Sequence, residues 1–259
     1  MSQHVFEFET GSASDRGRVR DKNEDSWYAN SSYGVWLVAD GMGGHTNGQM
    51  ASSKIAECVA TVGQPASAPD LLARFTDRIF RANDDLVAFA ESRDNVVLGS
   101  TLAAILVFGN HYACVWAGDS RAYLVREGKI SLVSHDHTEV QDLIDRGLLS
   151  TEEARSYPRR NVITRAVGVS MDLELDTIHG QVFPDDRFVL CSDGLTGYVT
   201  DQEICDIVAA APPQEACNRL VDLTLTRGAA DNVTVVIARC LNGQATPYPY
   251  NVTSVVGAS

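Results

Sequence analysis

The sequence predicts an α+β layered sandwich, with antiparallel sheets and paired helices packed outside them. Three observations carry this. Short β-rich runs follow one another across tight turn signals, which argues for hairpins rather than crossover connections. Two pairs of amphipathic helical segments lie between the runs. The order is strand, two helices, several strands, a polar mixed segment, strand, two helices, strand, which is neither βαβ alternation nor all-β.

Along the chain, Val35–Ala39 is an apolar run closed by Asp40-Gly41, a strand ending in a turn. Gln49–Val62 places Ala51, Ile55, Ala56, Val59 and Val62 near a 3.6-residue period, as an amphipathic helix does. Asp70–Glu91 continues the pattern with Leu71, Leu72, Phe75, Ile79, Leu86, Val87 and Phe89. The linker Gln64–Pro69 makes the two a helical hairpin. Thr101–Phe108 and Tyr112–Ala117 are strands joined at Gly109-Asn110. Ala122–Val125 meets Glu127-Gly128, so a second hairpin returns from Lys129. His137–Val169 is rich in charge with short helical pieces, and reads as a surface excursion over a site. Arg187–Cys191 and Val233–Ala238 are strands flanking a second helix pair, Asp201–Ala211 and Pro213–Thr226. Asp201 is expected as an N-cap and Pro213 as a first-turn proline. The polar, proline-containing Asn242–Ser259 reads as a loose tail.

A chain of 259 residues fits one large domain or two small ones. Hydrophobic residues make up 44% and charged residues 21%, which excludes disorder, collagen and coiled coil as whole-chain readings. The net charge of −13 argues against nucleic-acid or anionic-membrane partners, which need a basic footprint. The six cysteines are scattered with no Cys-x-x-Cys pair, so a reducing cytoplasm is the expected compartment. Met1–Gly11 lacks the basic start of a signal peptide. The longest apolar stretch, Leu102–Phe108, is far short of the ~20 residues of a membrane span.

The chemistry gathers on aspartates at the ends of apolar runs. Asp40, Asp119 and Asp193 each follow a run, and Asp231-Asn232 precedes one. A single Asp-Gly at a strand end is ordinarily a turn. Four acids at the mouths of core strands would repel one another at low dielectric, and a hard divalent cation removes that repulsion. Mg²⁺ and Mn²⁺ take such oxygen ligands. His135 and His137, the one close histidine pair, read as structural. The segment Ser14–Asp25 is dense in arginine and acid. It is either a solvated loop or a site edge with Arg20 beside a phosphate and Glu24-Asp25 beside metals. A guanidinium grips phosphate bidentately, as lysine cannot.

Taken together, Arg20-x-x-Asn23-Glu24-Asp25, Val38-Ala-Asp40-Gly41-Met-Gly-Gly44, Ser100-Thr101, Gly118-Asp119-Ser-Arg121, Ser192-Asp193-Gly194-Leu195 and Asp231-Asn232 resemble the metal-dependent protein Ser/Thr phosphatases, the PP2C family. Asn161–Gly168 further resembles the stand-alone bacterial members. The resemblance runs from about Phe8 to Cys240. It implies a four-layer α-β-β-α sandwich, a phosphatase domain over residues 1–241 and a flap at about 136–172. It implies that Asp40 bridges two Mn²⁺ or Mg²⁺ ions and that Gly41 offers its carbonyl. Asp193 and Asp231 match ligands of the first ion, Glu24 an acid near the second, with Asp25 beside it. Asp119, with Asp193, matches ligands of a third ion. Arg20 matches the phosphate-binding arginine, and Asn232 is expected to orient Asp231. The implied reaction is hydrolysis of phosphoserine or phosphothreonine by a water activated between two ions, attacking phosphorus in line. Implied partners are phosphoproteins and a cognate bacterial Ser/Thr kinase, with forkhead-associated proteins of type VI secretion control as one setting. No nucleic acid or membrane partner is implied, and a monomer is expected.

One departure stands out. Animal members of the family have a histidine where this chain has Met42, and a thioether cannot protonate a leaving group. That leaves a water or His45 for the role, though His45 in its Gly-Gly-His turn also reads as structural. Arg159 and Arg160 in the flap are either substrate contacts or solvated surface charge. No Cys-x5-Arg, Gly-Asn-His-Glu or Gly-x4-Gly-Lys motif is present, which disfavours thiol phosphatases, the other metallophosphatases and phosphate-loop enzymes. The rival from another class is an inactive phosphoprotein-binding module of the same fold. Such a module should have lost a metal aspartate, and Asp40, Asp193 and Asp231 are all present.

Overall fold

In the computed structural model, residues 6–43, 47–94, 96–154 and 156–241 are described. Strand β3 (Val35–Met42) is buried along its first five residues, which is why it reads as an unbroken apolar run. It pairs with β2 (Asp25–Asn30) on one side and β5 (Leu102–Phe108) on the other. The sheet continues through β6 (His111–Ala117) to β9 (Asp176–Gln181), and the short β4 (Gly99–Ser100) pairs with the end of β3. The second sheet runs β1 (Glu7–Asp15), β11 (Val233–Leu241), β10 (Arg187–Cys191), β7 (Arg121–Arg126), β8 (Lys129–Leu132). All paired neighbours are antiparallel, and the two predicted hairpins are present. Glu127 and Gly128 both take positive φ, as a two-residue hairpin with this twist requires.

Three apolar layers hold four structural layers together. Helices α1 (Asn47–Ala60) and α2 (Ala68–Glu91) lay Ile55, Val59, Phe75 and Ile79 onto Leu37, Leu102 and Val115 of the first sheet. Trp36, Ile105, Phe188 and Val236 interleave between the sheets. Helices α6 (Asp201–Ala210) and α7 (Pro213–Thr226) cover the outer face of the second sheet with Ile204, Val208, Leu220 and Val221 against Val189 and Val235. This is the expected α-β-β-α sandwich. No helix among the described residues is long and apolar enough to cross a membrane.

Local rules account for most boundaries. Ser67 caps α2 through the Asp70 N–H, and Pro213 opens α7 as predicted. The N-cap of α6 is Thr200, not Asp201. Its hydroxyl accepts from the Glu203 N–H while the Glu203 carboxylate accepts from the Thr200 N–H and hydroxyl, a reciprocal capping box. Strands β1, β2 and β9 do not stand out as apolar runs in the sequence, because as sheet-edge strands they carry mixed or exposed residues. The segment before β9 holds α3 (Glu139–Asp145) and α4 (Thr151–Ala154), the short helical pieces expected there. The tail Asn242–Ser259 and His45 lie outside the described residues.

Candidate active site

Antiparallel pairing brings one end of each sheet to the same place. Asp40 lies near the end of β3 directly opposite Asp25 at the start of β2, and the strand runs on through Gly41 and Met42 where the sequence suggested a turn. Asp119 follows β6, and Asp193 opens the short helix α5 (Asp193–Thr196) just after β10. Asp231 precedes β11. These segments converge on a cleft of about 500 Å³ lined by Arg20, Lys22, Glu24, Asp40, Gly41, Met42, Asp119, Asp193 and Asp231, with Asn161 and Ile163 of the flap at its edge. Within the flap Thr138 bridges Ile163, and the flap's return is fastened to β4 where Ser100 bridges Val167.

Close backbone packing sets the spacing of the acids. A Cβ on Gly41 would strike the carbonyls of Gly48 and Glu24, so the Asp40-Gly41 stretch of β3 lies hard against the start of α1. A Cβ on Gly194 would strike the Asn232 carbonyl, which sets Asp193 beside Asp231. The Asp40 N–H donates to Thr101 Oγ1 at 3.0 Å, and Thr101 Oγ1 is 2.6 Å from Ser120 Oγ. Ser192 Oγ donates to Asp25 Oδ2 at 2.8 Å. These buried hydroxyls belong to the quoted motifs, but their acceptors and donors are set by contacts between strands.

Asn232 touches Asp231 and does more besides. Its backbone N–H reaches Asp231 Oδ1 at 2.8 Å, while its side chain closes the arginine loop. Asn232 Nδ2 donates to the Arg16 and Lys22 carbonyls, both at 2.8 Å, and Oδ1 accepts from the Glu24 N–H at 2.8 Å. That clamp presents Arg20, whose Nη2 lies 2.7 Å from Asp231 Oδ2. In the flap, Arg159 pairs with Glu139 at 2.7 Å.

The electrostatics are those of crowded acids. Burial, opposed by hydrogen bonds from Thr234 and Ser192, pushes the Asp25 carboxyl up to about 7. Burial and the nearby Asp193 push Asp119 up to about 7. Asp40 stands well above the usual carboxylate range through burial and the charges of Asp25, Asp193, Asp119 and Asp231. Asp193 is raised by burial and by Asp231, tempered by a hydrogen bond with Asp40. Glu24 Oε1 and Asp25 Oδ1 are buried with no hydrogen-bond donor. Unpaired buried carboxylate oxygens are strongly unfavourable unless something positive meets them.

Hard divalent cations fit this donor set, which is all oxygen and carries no softer ligand. Among the described residues no three His, Cys, Asp or Glu side chains converge as a ready-made ligand group. The carboxylates repel one another, and Asp231 is drawn to Arg20. Mg²⁺ in particular takes one or two carboxylates and keeps several waters, so a sparse protein ligand set suits it.

Comparison with known proteins identifies the family. The sequence model of the protein phosphatase 2C family matches residues 16–223. The chain is 38% identical over 238 residues to the serine/threonine protein phosphatase PstP of Mycobacterium tuberculosis, covering 90% of this chain and 46% of that protein. It therefore spans about half the length of that relative. It is 32% identical over 235 residues to the serine/threonine phosphatase stp of Listeria welshimeri, covering 86% of this chain and 92% of that one. Among solved structures, it superposes with a TM-score of 0.85 and 38% identity on PppA, described as a key regulatory component of T6SS in Pseudomonas aeruginosa, covering 91% and 98% of the two chains. It superposes with a TM-score of 0.83 and 36% identity on the catalytic domain of PstP in complex with two manganese ions, covering 92% and 100%. Sequence and fold agree, and this chain belongs to the protein phosphatase 2C family.

Proposed function

We propose that this chain is a metal-dependent phosphatase that hydrolyses phosphoserine and phosphothreonine in proteins. The observation that carries the reading is that Asp40, Asp119, Asp193 and Asp231, from four separate segments, line one open cleft beside Arg20. Asp40 would be shared between two Mn²⁺ or Mg²⁺ ions, with Gly41, Asp193, Asp231 and Glu24 around them and Asp119 with Asp193 at a third. Divalent ions bound there supply Lewis acidity and make water a competent nucleophile at neutral pH.

The chain's own residues do the rest. Arg20 sits at the cleft edge with its side chain half exposed, so its fork can turn from Asp231 to the phosphate oxygens and offset their charge. Asn232 keeps that loop in reach by holding both the Arg16 and Lys22 carbonyls. Thr101 and Ser192 hold Asp40 and Asp25 in place, so the acids are oriented before substrate arrives. Asn161 and Ile163 of the flap close one side. Met42 lines the cleft and offers no proton, so the departing serine or threonine oxygen takes its proton from elsewhere.

In the cell such an enzyme would reverse the work of a Ser/Thr kinase, as a cytoplasmic monomer. The likeness to PppA supports a setting in type VI secretion, and the reading takes a forkhead-associated protein as one substrate there. The test is phosphate release from a phosphothreonine peptide with Mn²⁺ and then with excess EDTA. Turnover that needs the metal supports the reading. A folded sample inert with both Mn²⁺ and Mg²⁺ overturns it.

A further inference from the structure

Three apolar side chains stand in water on the two segments that meet at Gly99, next to Met42 of the cleft. Val97 is 72% exposed, Val169 58% and Met171 61%. Single exposed apolar residues need no explanation, but a group beside a polar site marks a binding surface. Of these, Val169 is a neighbour of Met42, which lines the cleft. A Cβ on Gly99 would stand 2.8 Å from Val169 Cγ2 and 3.1 Å from Met42 Cε, so the two side chains meet over the bare glycine. The Val97 carbonyl packs against Gly43, the residue after Met42.

The backbone beneath this group is fastened. Val167 and Ser100 exchange hydrogen bonds, both 2.9 Å. Asn83 of α2, fully buried, accepts from the Gly168 N–H at 2.8 Å and donates to the Ser170 carbonyl at 2.9 Å. Val169 and Met171 are therefore displayed on a pinned turn, and a rigid surface loses little entropy when something docks.

We infer that this rim is an apolar ledge that selects phosphoprotein segments with an aliphatic residue two or three positions from the phosphorylated one. The inference rests on the phosphatase reading above. Continuity with the cleft names the occupant: Val169 meets Met42, Met42 lines the cleft, and a segment that places its phosphate near Asp40 and leaves on the Met42 side runs over the rim. Reach sets the spacing. Met42 lies two strand residues beyond Asp40, about 7 Å, and an extended substrate advances about 3.3 Å per residue. Chemistry sets the residue type. A charged side chain laid over Met42, Val97 and Val169 would lose water and gain no partner, whereas Leu, Ile or Val would bury apolar surface.

The test uses the full chain with Mn²⁺ and a set of phosphothreonine peptides, identical except for Leu or Ser at the second and third positions on either side. The expected result is one Leu-bearing peptide with a kcat/KM about tenfold above the all-Ser peptide. In both Val169→Ser and Val97→Ser, that preference should fall to within about twofold. The two exposed sites give independent variants, so failure of one to fold leaves the other decisive. Equal hydrolysis of all peptides by the wild type overturns the ledge and leaves the phosphatase reading standing. A preference that survives in both variants also overturns it. No hydrolysis of any peptide removes both readings. Self-association of the wild type that Val169→Ser abolishes, with peptide preference intact, would make the rim a subunit interface and overturn the inference.

Discussion

Asn83 ties the return of the flap to α2, and replacing it tests that tie directly. The side chain is fully buried and makes two hydrogen bonds, from the Gly168 N–H and to the Ser170 carbonyl. Gly168 is buried and has positive φ, so its N–H has no easy route to water. Ser170 is exposed, and its carbonyl can take water instead. Asn83→Ala removes both bonds and strands one buried donor, which should cost about 2–3 kcal/mol. For a domain of this size the melting temperature should fall by about 5–10 °C. Asn83→Asp sharpens the test. An ionised aspartate still accepts from Gly168 but faces the Ser170 carbonyl with a second oxygen. A protonated one can donate to that carbonyl as the amide did. Burial and this geometry favour the neutral form, so the folded-state pKa lies above the unfolded value. Such a group adds stability below its unfolded pKa and loses it as pH rises through the folded one. Asn83→Asp should therefore melt as low as Asn83→Ala at about pH 8 and recover relative to wild type at about pH 5.5. The assay is thermal unfolding of the three proteins at both pH values. An Asn83→Ala variant within about 0.5 kcal/mol of wild type, the usual size of a neutral surface change, would refute the reasoning. So would an Asn83→Asp deficit that does not shrink on acidification.

Other outcomes follow from the same structure. Asp193→Asn should abolish Mn²⁺-dependent phosphate release while the circular dichroism spectrum stays that of the wild type; retained turnover would sink the assignment of Asp193. Saturating Mn²⁺ should raise the wild-type melting temperature, since a ligand that binds only the folded state stabilises it, and Asp193→Asn should respond less. Gly194→Ala would push α5 away from the Asn232 carbonyl, so both melting temperature and activity should drop; a variant matching wild type on both counts would show the contact is slack. Glu203, held at about 2 by Arg227 and by the Thr200 N–H and hydroxyl, stabilises the fold above its unfolded value near 4.5. Glu203→Gln should lower the melting temperature at neutral pH, with the gap closing as pH falls from about 4.5 toward 2, and a pH-independent gap would contradict the ion pair.

Much of the architecture was legible because its signals are local. The α2 stripe of Leu71, Phe75 and Ile79 repeats on a helical period, and the same residues line the outer core. Gly109 and Gly128 sit where their turns need positive φ. Asp40, Asp119 and Asp193 stood out because each ends an apolar run, and such a run marks a core strand wherever it falls in a chain. The α6 cap was misplaced by one residue because Thr200 and Asp201 are both good caps, and only the reciprocal bonds with Glu203 decide between them. Edge strand β9, DTIHGQ, lacks the apolar alternation of a half-buried strand, and its place comes from the ladder it forms with β6.

By itself, then, the sequence determined the layered sandwich and the helix pairs and marked the strand-end aspartates, since periodicity, turn chemistry and apolar runs closed by an acid are written in neighbouring residues. Tertiary structure decided what those residues touch. Arg20 meets Asp231 across 211 positions, Asn232 holds a loop over 200 positions away, and Asn83 fastens the flap's return 85 positions on. Even the meeting of Met42 and Val169 over Gly99 needs two sheet connections to exist first. Contacts of this kind depend on how whole layers pack, and no stretch of adjacent residues encodes them.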